Sequence, residues 1–176
     1  MLIGYRGTGK TSVGARLARI LGRPFVDLDQ ILVDEASRTI AEIVAQGGWD
    51  EFRRLEKDLV ARYRTTRGMV LATGGGVILD PENVQALKEN GILIWLVADP
   101  GTIQARLAGD QPQEAYRPSL TGGGTLGEVT EVLEARQPLY QAAAQIIIDT
   151  TRQSLSQVVE SILAAVKAWE EKRLGG

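Results

Sequence analysis

The chain has 176 residues, of which 44% are hydrophobic, and its 20 Lys and Arg against 22 Asp and Glu give a formal net charge of −2. This balance argues against a basic surface for nucleic acid or for an acidic membrane. The absence of Cys and His excludes disulfides, His general bases and the common transition-metal sites, so any catalytic base is a carboxylate or a lysine. No apolar run approaches the ~20 residues of a membrane span, and no signal peptide precedes the first motif, so we expect a single cytoplasmic domain.

Short apolar runs alternate with helical patterns, which predicts an α/β fold with a parallel sheet and helices on both faces. Predicted strands cover 1–3, 24–29, 68–73, 91–97 and 145–149. Predicted helices cover 10–21, 30–36, 40–46, 49–65, 81–90, 100–107, 126–143 and 154–172. Because the first strand is so short, we expect its rigidity to come mostly from the strands at 25–28 and 69–72, or from residues upstream of Met1.

The segment at 108–124 differs from the rest of the chain. It is rich in Gly, Pro, Gln and Thr and has little apolar periodicity, which predicts a surface loop longer than a simple connection. On a phosphotransferase scaffold such a loop is a candidate lid. A floppy insertion without function fits the composition equally well.

A phosphate-binding motif opens the chain. Gly4 to Thr11 matches the pattern G-x-x-x-x-G-K-[ST], between a strand and a helix. Glycines let backbone N–H groups surround phosphate oxygens, and the helix directs the positive end of its dipole at the same anion. We expect Lys10 to reach the β- and γ-phosphates and the Thr11 hydroxyl to bind Mg²⁺. The predicted nucleotide-binding residues of this loop are Gly7, Thr8, Gly9, Lys10, Thr11 and Ser12.

Two acids, Asp27 and Asp29, end the second predicted strand. Ligands of open α/β sheets bind at that edge, and the i, i+2 spacing places both side chains on one face of a strand. One carboxylate could help to hold Mg²⁺ through water, and the other could accept a hydrogen bond and a proton from a substrate hydroxyl. The alternative is that one acid merely caps the next helix.

Three arginines and a run of glycines complete the candidate set. Arg53, Arg117 and Arg136 are suited to bidentate recognition of carboxylate or phosphate, although an arginine taken alone is more often a solvated surface charge. Gly74-Gly75-Gly76 follows the third strand, where it indicates either a ligand close to the backbone or a tight turn.

Together these motifs resemble the shikimate kinase family. The resemblance covers nearly the whole chain and rests on 4–12, Asp27-Leu28-Asp29, Phe52-Arg53 with Glu56, Thr73 to Gly76, Arg117-Pro118 and Arg136 to Tyr140. It implies a three-layer α/β/α fold like that of nucleoside-monophosphate kinases, with a five-stranded parallel sheet of order 2-3-1-4-5. It also implies one kinase domain over 1–176, with substrate-binding helices at about 30–66 and a lid at about 108–124.

The resemblance implies an activity and a set of roles. ATP, with Mg²⁺, would phosphorylate the 3-hydroxyl of shikimate in aromatic amino acid biosynthesis, and the enzyme would be a monomer without nucleic-acid or membrane partners. Asp29 would hold the shikimate hydroxyls and act in catalysis with Lys10 and Arg117. The remaining implied roles are shikimate binding by Arg53, Arg136, Gly74, Gly75 and Gly76, Mg²⁺ binding near Thr11 and Asp27, ATP-phosphate binding by Arg117, and an adenine pocket lined by Gln153.

The lid departs from the family pattern. It reads Arg117-Pro118-Ser119-Leu120, where the family usually has Arg-Pro-Leu-Leu, and it is a few residues longer. Two other functions stay open: a kinase for another small hydroxy acid such as gluconate, or for a nucleotide, and a non-catalytic ATP-binding switch. The three glycines and the arginines favour a small acid over a nucleobase.

Overall fold

The computed structural model describes residues 1–109, 118–121, 124 and 126–175. Within them, five parallel strands form one sheet in the order β2-β3-β1-β4-β5, which confirms the expected topology. The strands are β1 Leu2–Ile3, β2 Phe25–Asp27, β3 Val70–Ala72, β4 Ile94–Val97 and β5 Ile146–Asp149. The α-helices are α1 Lys10–Leu21, α2 Leu28–Ala36, α3 Ile40–Tyr63, α4 Pro81–Asn90, α5 Pro100–Gly109, α6 Val129–Ala143 and α7 Leu155–Leu174.

Helices cover both faces of the sheet because successive strand residues point to opposite sides. Leu2 packs on one face with residues of α1 and α7, and Ile3 packs on the other with residues of α3, α4 and α6. The first core includes Val13, Leu17, Ile94, Leu96, Ile148, Val159 and Ile162. The second includes Leu59, Val60, Leu71, Leu87, Leu93, Trp95 and Tyr140.

The two-residue strand β1 lies at the centre of the sheet. Leu2 is in register with Ala72 of β3 and with Ile94 of β4, and further backbone bonds run from Thr73 to Leu2 and from Ile94 to Met1. The expected support from 69–72 is therefore confirmed. The expected support from 25–28 is wrong, because β3 separates β2 from β1 and β4 supplies the second neighbour.

Some element boundaries differ from the prediction. α2 begins at Leu28, so Asp29 lies in the first turn of a helix and not on a strand. A single assigned helix, α3, spans the two predicted ones, with a kink at Gly48, whose φ is 71°. A 3₁₀ turn at Val77–Leu79, which the sequence pattern did not indicate, follows the three glycines. Among the described residues, no helix has both the length and the apolar character to cross a membrane.

Candidate active site

The phosphate loop connects β1 to α1 at the carboxyl edge of the sheet. Gly7 and Gly9 have φ angles of 78° and 94°, a left-handed conformation that glycine adopts without steric cost. Gly4 has φ 143°, and a Cβ there would lie 2.5 Å from the backbone oxygen of Leu96. The Thr8 hydroxyl donates to the Tyr5 carbonyl at 2.8 Å. The loop thus forms a compact backbone concavity at the start of a helix, the arrangement that binds phosphate.

Lys10, Thr11 and Asp27 place a cation and oxygen ligands beside this loop. The Lys10 Nζ donates to the carbonyls of Gly4 and Tyr5, at 2.8 and 3.0 Å. The Thr11 hydroxyl donates to Asp27 Oδ2 at 2.7 Å. The described residues contain no cluster of three or more acidic or other classical metal ligands. A hydroxyl with one carboxylate nevertheless fits Mg²⁺, which usually takes the rest of its ligands from substrate phosphates and water.

Asp27 both caps a helix and faces Thr11 of the phosphate loop, whereas the sequence left capping and a role at the site as alternatives. Its Oδ1 accepts a hydrogen bond from the Asp29 backbone N–H at 3.1 Å and so caps α2. Its Oδ2 simultaneously faces Thr11. The expected geometry of the pair is wrong, since the two acids do not leave one strand face, yet both line the same cavity.

The three glycines lie against charged side chains. A Cβ on Gly74 would come within 2.5 Å of Glu56 Oε1 and 2.8 Å of Asp29 Oδ1. A Cβ on Gly76 would come within 2.0 Å of the Arg53 guanidinium. Arg53 in turn donates to Glu56 Oε2 at 2.5 Å. The glycines therefore leave the space into which this acid–arginine cluster packs.

Arg136 reaches the same glycine loop from α6. Its Nη1 donates to the Gly75 carbonyl at 3.2 Å, and the Tyr140 hydroxyl donates to the same oxygen. Two arginines that are far apart in the sequence thus converge, one from α3 and one from α6. Such a pair suits the recognition of a small carboxylate.

One cavity of about 970 Å³ joins the phosphate loop to this acid–arginine cluster. Every predicted site residue that the structure describes lines it: Gly7, Thr8, Gly9, Lys10, Thr11, Ser12, Asp27, Asp29, Arg53, Gly74, Gly75, Gly76, Arg136 and Gln153. Arg117, the predicted lid arginine, lies outside the described residues. The phosphate-loop motif and the two arginines therefore share one cavity.

The family model described as shikimate kinase matches residues 6–167. The chain belongs to the shikimate kinase family. A shikimate kinase from Symbiobacterium thermophilum is 42% identical over 172 residues, which cover 98% of each chain. A shikimate kinase 2 from Enterobacter sp. (strain 638) is 44% identical over 166 residues, 94% of each chain. The structure of a shikimate kinase from Acinetobacter baumannii in complex with shikimate has a TM-score of 0.87 and 30% identity, covering 95% of this chain and 91% of that one.

Family membership establishes the activity. Shikimate kinases phosphorylate shikimate with ATP and Mg²⁺ in aromatic amino acid biosynthesis, and this chain is a kinase of that family. The oxygen ligands beside the phosphate loop agree with Mg²⁺ as the metal.

Several pocket residues of this shikimate kinase fall outside the set predicted from sequence. Arg106 of α5 donates to the Gly7 carbonyl at 3.3 Å and to the Thr150 carbonyl at 2.6 Å, which ties the phosphate loop to the segment after β5. Arg6 lies within the motif at a variable position, and Trp49 lies beside the kink of α3. The resemblance offered Arg106 as a match to a further family arginine, but the longer lid obscured that alignment. The position of Arg6 inside the loop was a usable signal.

Burial and neighbouring charges shift the pKa values of Asp29 and Glu56, the two acids beside the glycine loop. Burial and the Asp27 carboxylate raise the pKa of Asp29, while Lys10, Arg53 and Arg6 oppose the increase. Burial also raises the pKa of Glu56 to about 7, against the lowering effect of Arg53. A carboxyl group with a raised pKa is better able to accept a proton at neutral pH.

Proposed function

We propose that this shikimate kinase transfers the γ-phosphoryl group of ATP to the shikimate 3-hydroxyl, with the cavity residues in the following roles. One observation carries the proposal: the Asp29 carboxylate lies in the cavity shared by the phosphate loop and by Arg53 and Arg136. Phosphoryl transfer depends mainly on positioning and charge stabilisation, and this arrangement supplies both.

On the acid side, Arg53 and Arg136 bind the shikimate carboxylate. Both guanidinium groups already lie at the glycine loop, where Gly76 leaves room for Arg53 and Gly75 accepts from Arg136. The backbone of Gly74 to Gly76 lines the same subsite. Asp29 accepts hydrogen bonds from the substrate hydroxyls, orients the nucleophilic oxygen and takes its proton, a role that its raised pKa favours.

On the phosphate side, the backbone from Gly7 to Ser12 binds the phosphates of ATP and Gln153 lines the adenine pocket. Lys10 exchanges its carbonyl partners for the β- and γ-phosphates. Thr11 and Asp27, whose side chains share a hydrogen bond beside the loop, would hold Mg²⁺ there, Asp27 through water. Bound there, Mg²⁺ neutralises charge on the phosphate oxygens.

The sequence-based assignments beyond the described residues remain part of the proposal. Arg117 contacts the ATP phosphates, and the lid at 108–124 keeps water from competing with the substrate. The chain acts as one kinase domain over 1–176, with substrate-binding helices at 30–66. We further propose a cytoplasmic monomer, as expected from the sequence.

A coupled assay of ADP release tests the acceptor. The purified protein is given ATP and Mg²⁺ with shikimate, gluconate or a nucleoside monophosphate in parallel reactions. We expect rapid ADP release with shikimate alone, and one phosphate added to shikimate by mass spectrometry. ADP release that depends on gluconate or on a nucleotide would identify that compound as the acceptor in place of shikimate. ATP binding without substrate-dependent ADP release would identify a switch and contradict the proposal.

A further inference from the structure

A buried carboxylate lies outside the proposed catalytic residues. Glu128 is the N-cap residue of α6, and its side chain is 0% exposed. Its Oε2 accepts hydrogen bonds from the backbone N–H groups of Leu120 and Thr121, at 2.6 and 2.9 Å. The hydroxyls of Ser119 and Thr121 donate to the same oxygen at 2.8 and 3.3 Å. A buried charge is costly unless it is bonded in this way.

The second oxygen of Glu128 faces the phosphate loop. Its Oε1 lies 3.8 Å from Arg6 Nη1 and accepts no hydrogen bond within the described part of the chain. The same Arg6 nitrogen donates to the Pro118 carbonyl at 3.0 Å. Arg6 and the segment 118–121 are thus joined both directly and through one carboxylate.

The segment that Glu128 holds forms part of the pocket. Pro118 and Leu120 line the cavity, and Leu120 packs on the buried cluster that contains Tyr5 and Val129. Arg6 lines the same cavity, and its charge acts on Asp29. A shift of this segment would therefore move a cavity wall and a cation near the proposed catalytic acid.

Ser119 adds a side-chain donor to this attachment. The family usually has a leucine at this position, and a leucine side chain has no group that could donate to Glu128. Here the Ser119 hydroxyl supplies one of the four donors. The departure in the lid sequence is thus matched by a partner nine residues later.

We propose that Glu128 is a positioning residue for the kinase reaction, holding the pocket wall at 118–121 and Arg6 in the geometry that turnover requires. This inference rests on the proposed function, because it assumes phosphoryl transfer in this cavity. Glu128 acts through Arg6, Pro118 and Leu120, and it contacts no substrate in the proposed arrangement.

Glu128→Gln tests the inference, with Glu131→Gln as the matched control. Glu131 lies in the first turn of the same helix but is exposed, so its variant reproduces the loss of negative charge near the helix start. Well below the melting temperature, we expect Glu128→Gln to lower kcat/KM about tenfold or more, the effect of weakening charge-assisted hydrogen bonds. Glu131→Gln should stay near wild type. A purely structural role predicts a lower Tm with unchanged kcat and KM, and that result would overturn the inference.

Ser119 variants keep the inference testable if Glu128→Gln does not fold. Ser119→Ala removes one donor and should lower kcat/KM roughly threefold, whereas Ser119→Thr keeps the hydroxyl and should restore activity. In a folded Glu128→Gln background, Ser119→Ala should have a smaller effect than in the wild type, because the glutamine oxygen accepts a weaker hydrogen bond. Equal activity of Ser119→Ala and wild type would contradict the inference.

The two hypotheses fail in different ways. If the wild type shows no shikimate-dependent ADP release, the proposed function is refuted. The variants are then compared on the acceptor that the wild type does use. An active wild type with Glu128→Gln equal to Glu131→Gln refutes the positioning role alone.

Discussion

The two halves of the pocket are built in different ways. The phosphate half is a contiguous loop from Gly4 to Ser12, and its shape comes from backbone at positions where a Cβ or an ordinary φ would not fit. The acid half is assembled from side chains of α2, α3 and α6: Asp29, Arg53 and Arg136 line the cavity, and the buried Glu56 pairs with Arg53. The phosphate half therefore depends on the exact shape of the backbone. In the acid half, burial and neighbouring charges set the pKa values of the carboxyl groups.

Asp29→Asn removes the proposed proton acceptor from the acid half and should have the largest effect. We expect kcat to fall by about 10²- to 10⁴-fold, the usual contribution of a general base, with KM for ATP nearly unchanged. Steady-state kinetics with varied ATP and shikimate measure both. The exposed Asp34 of the same helix provides the control Asp34→Asn, which should behave as wild type. Near-normal turnover of Asp29→Asn would remove Asp29 from this role.

Gly4→Ala tests whether the phosphate half depends on backbone shape. The new Cβ would lie 2.5 Å from the Leu96 carbonyl in the central part of the sheet, at a φ of 143°. We expect a loss of about 2–4 kcal/mol in the free energy of unfolding, measured by urea denaturation. Gly109→Ala, where no atom of the described residues outside its own stretch of helix lies within 4 Å of the new Cβ, should change it little. Equal stability of the two variants would contradict the steric argument.

These differences also explain what could be predicted from the sequence. The phosphate loop is local, so its residues and the helix from Lys10 to Leu21 were predictable from one contiguous pattern. The convergence of Arg53 and Arg136 was not, because it depends on how α3 and α6 pack around the sheet.

The acid pair shows an intermediate case. Both acids line one cavity, as expected, but the strand geometry was wrong because the Asp27 side chain caps α2, which begins at Leu28. A capping residue at the end of a strand has the same sequence signature as a strand residue. The pattern therefore predicted the location of the two acids but not their relative orientation.

Arg136→Ala tests the carboxylate subsite and should have a smaller effect than the first two changes. Loss of one charge-assisted contact should raise KM for shikimate about tenfold to a hundredfold, with KM for ATP changed little. Arg19→Ala, at an exposed position on α1, controls for the loss of a positive charge. An unchanged KM for shikimate would exclude Arg136 from the carboxylate subsite, and an equal rise in both KM values would indicate a general loss of pocket geometry.

Glu56→Gln should have the smallest effect. It tests whether burial raises the pKa of a carboxyl group in the acid half. Burial raises the pKa of Glu56 from its ordinary value of 4.5 to about 7, although Arg53 opposes the increase. The native state therefore binds this proton more tightly than the unfolded chain does. The resulting stabilisation is fully present below pH 4.5 and is lost as the pH rises through 7.

The measurement is the free energy of unfolding of wild type and Glu56→Gln at several pH values across that window. The variant lacks this titration, so its free energy relative to that of the wild type should increase from pH 4.5 to 7 and then level off. Glu134→Gln, at an exposed position on α6, should show no such change. Because Asp29 is present in both proteins, its own raised pKa largely cancels in the difference. If the difference in unfolding free energy between the two proteins is constant with pH, the Arg53 ion pair keeps Glu56 charged across this range. Burial then does not raise the pKa of Glu56.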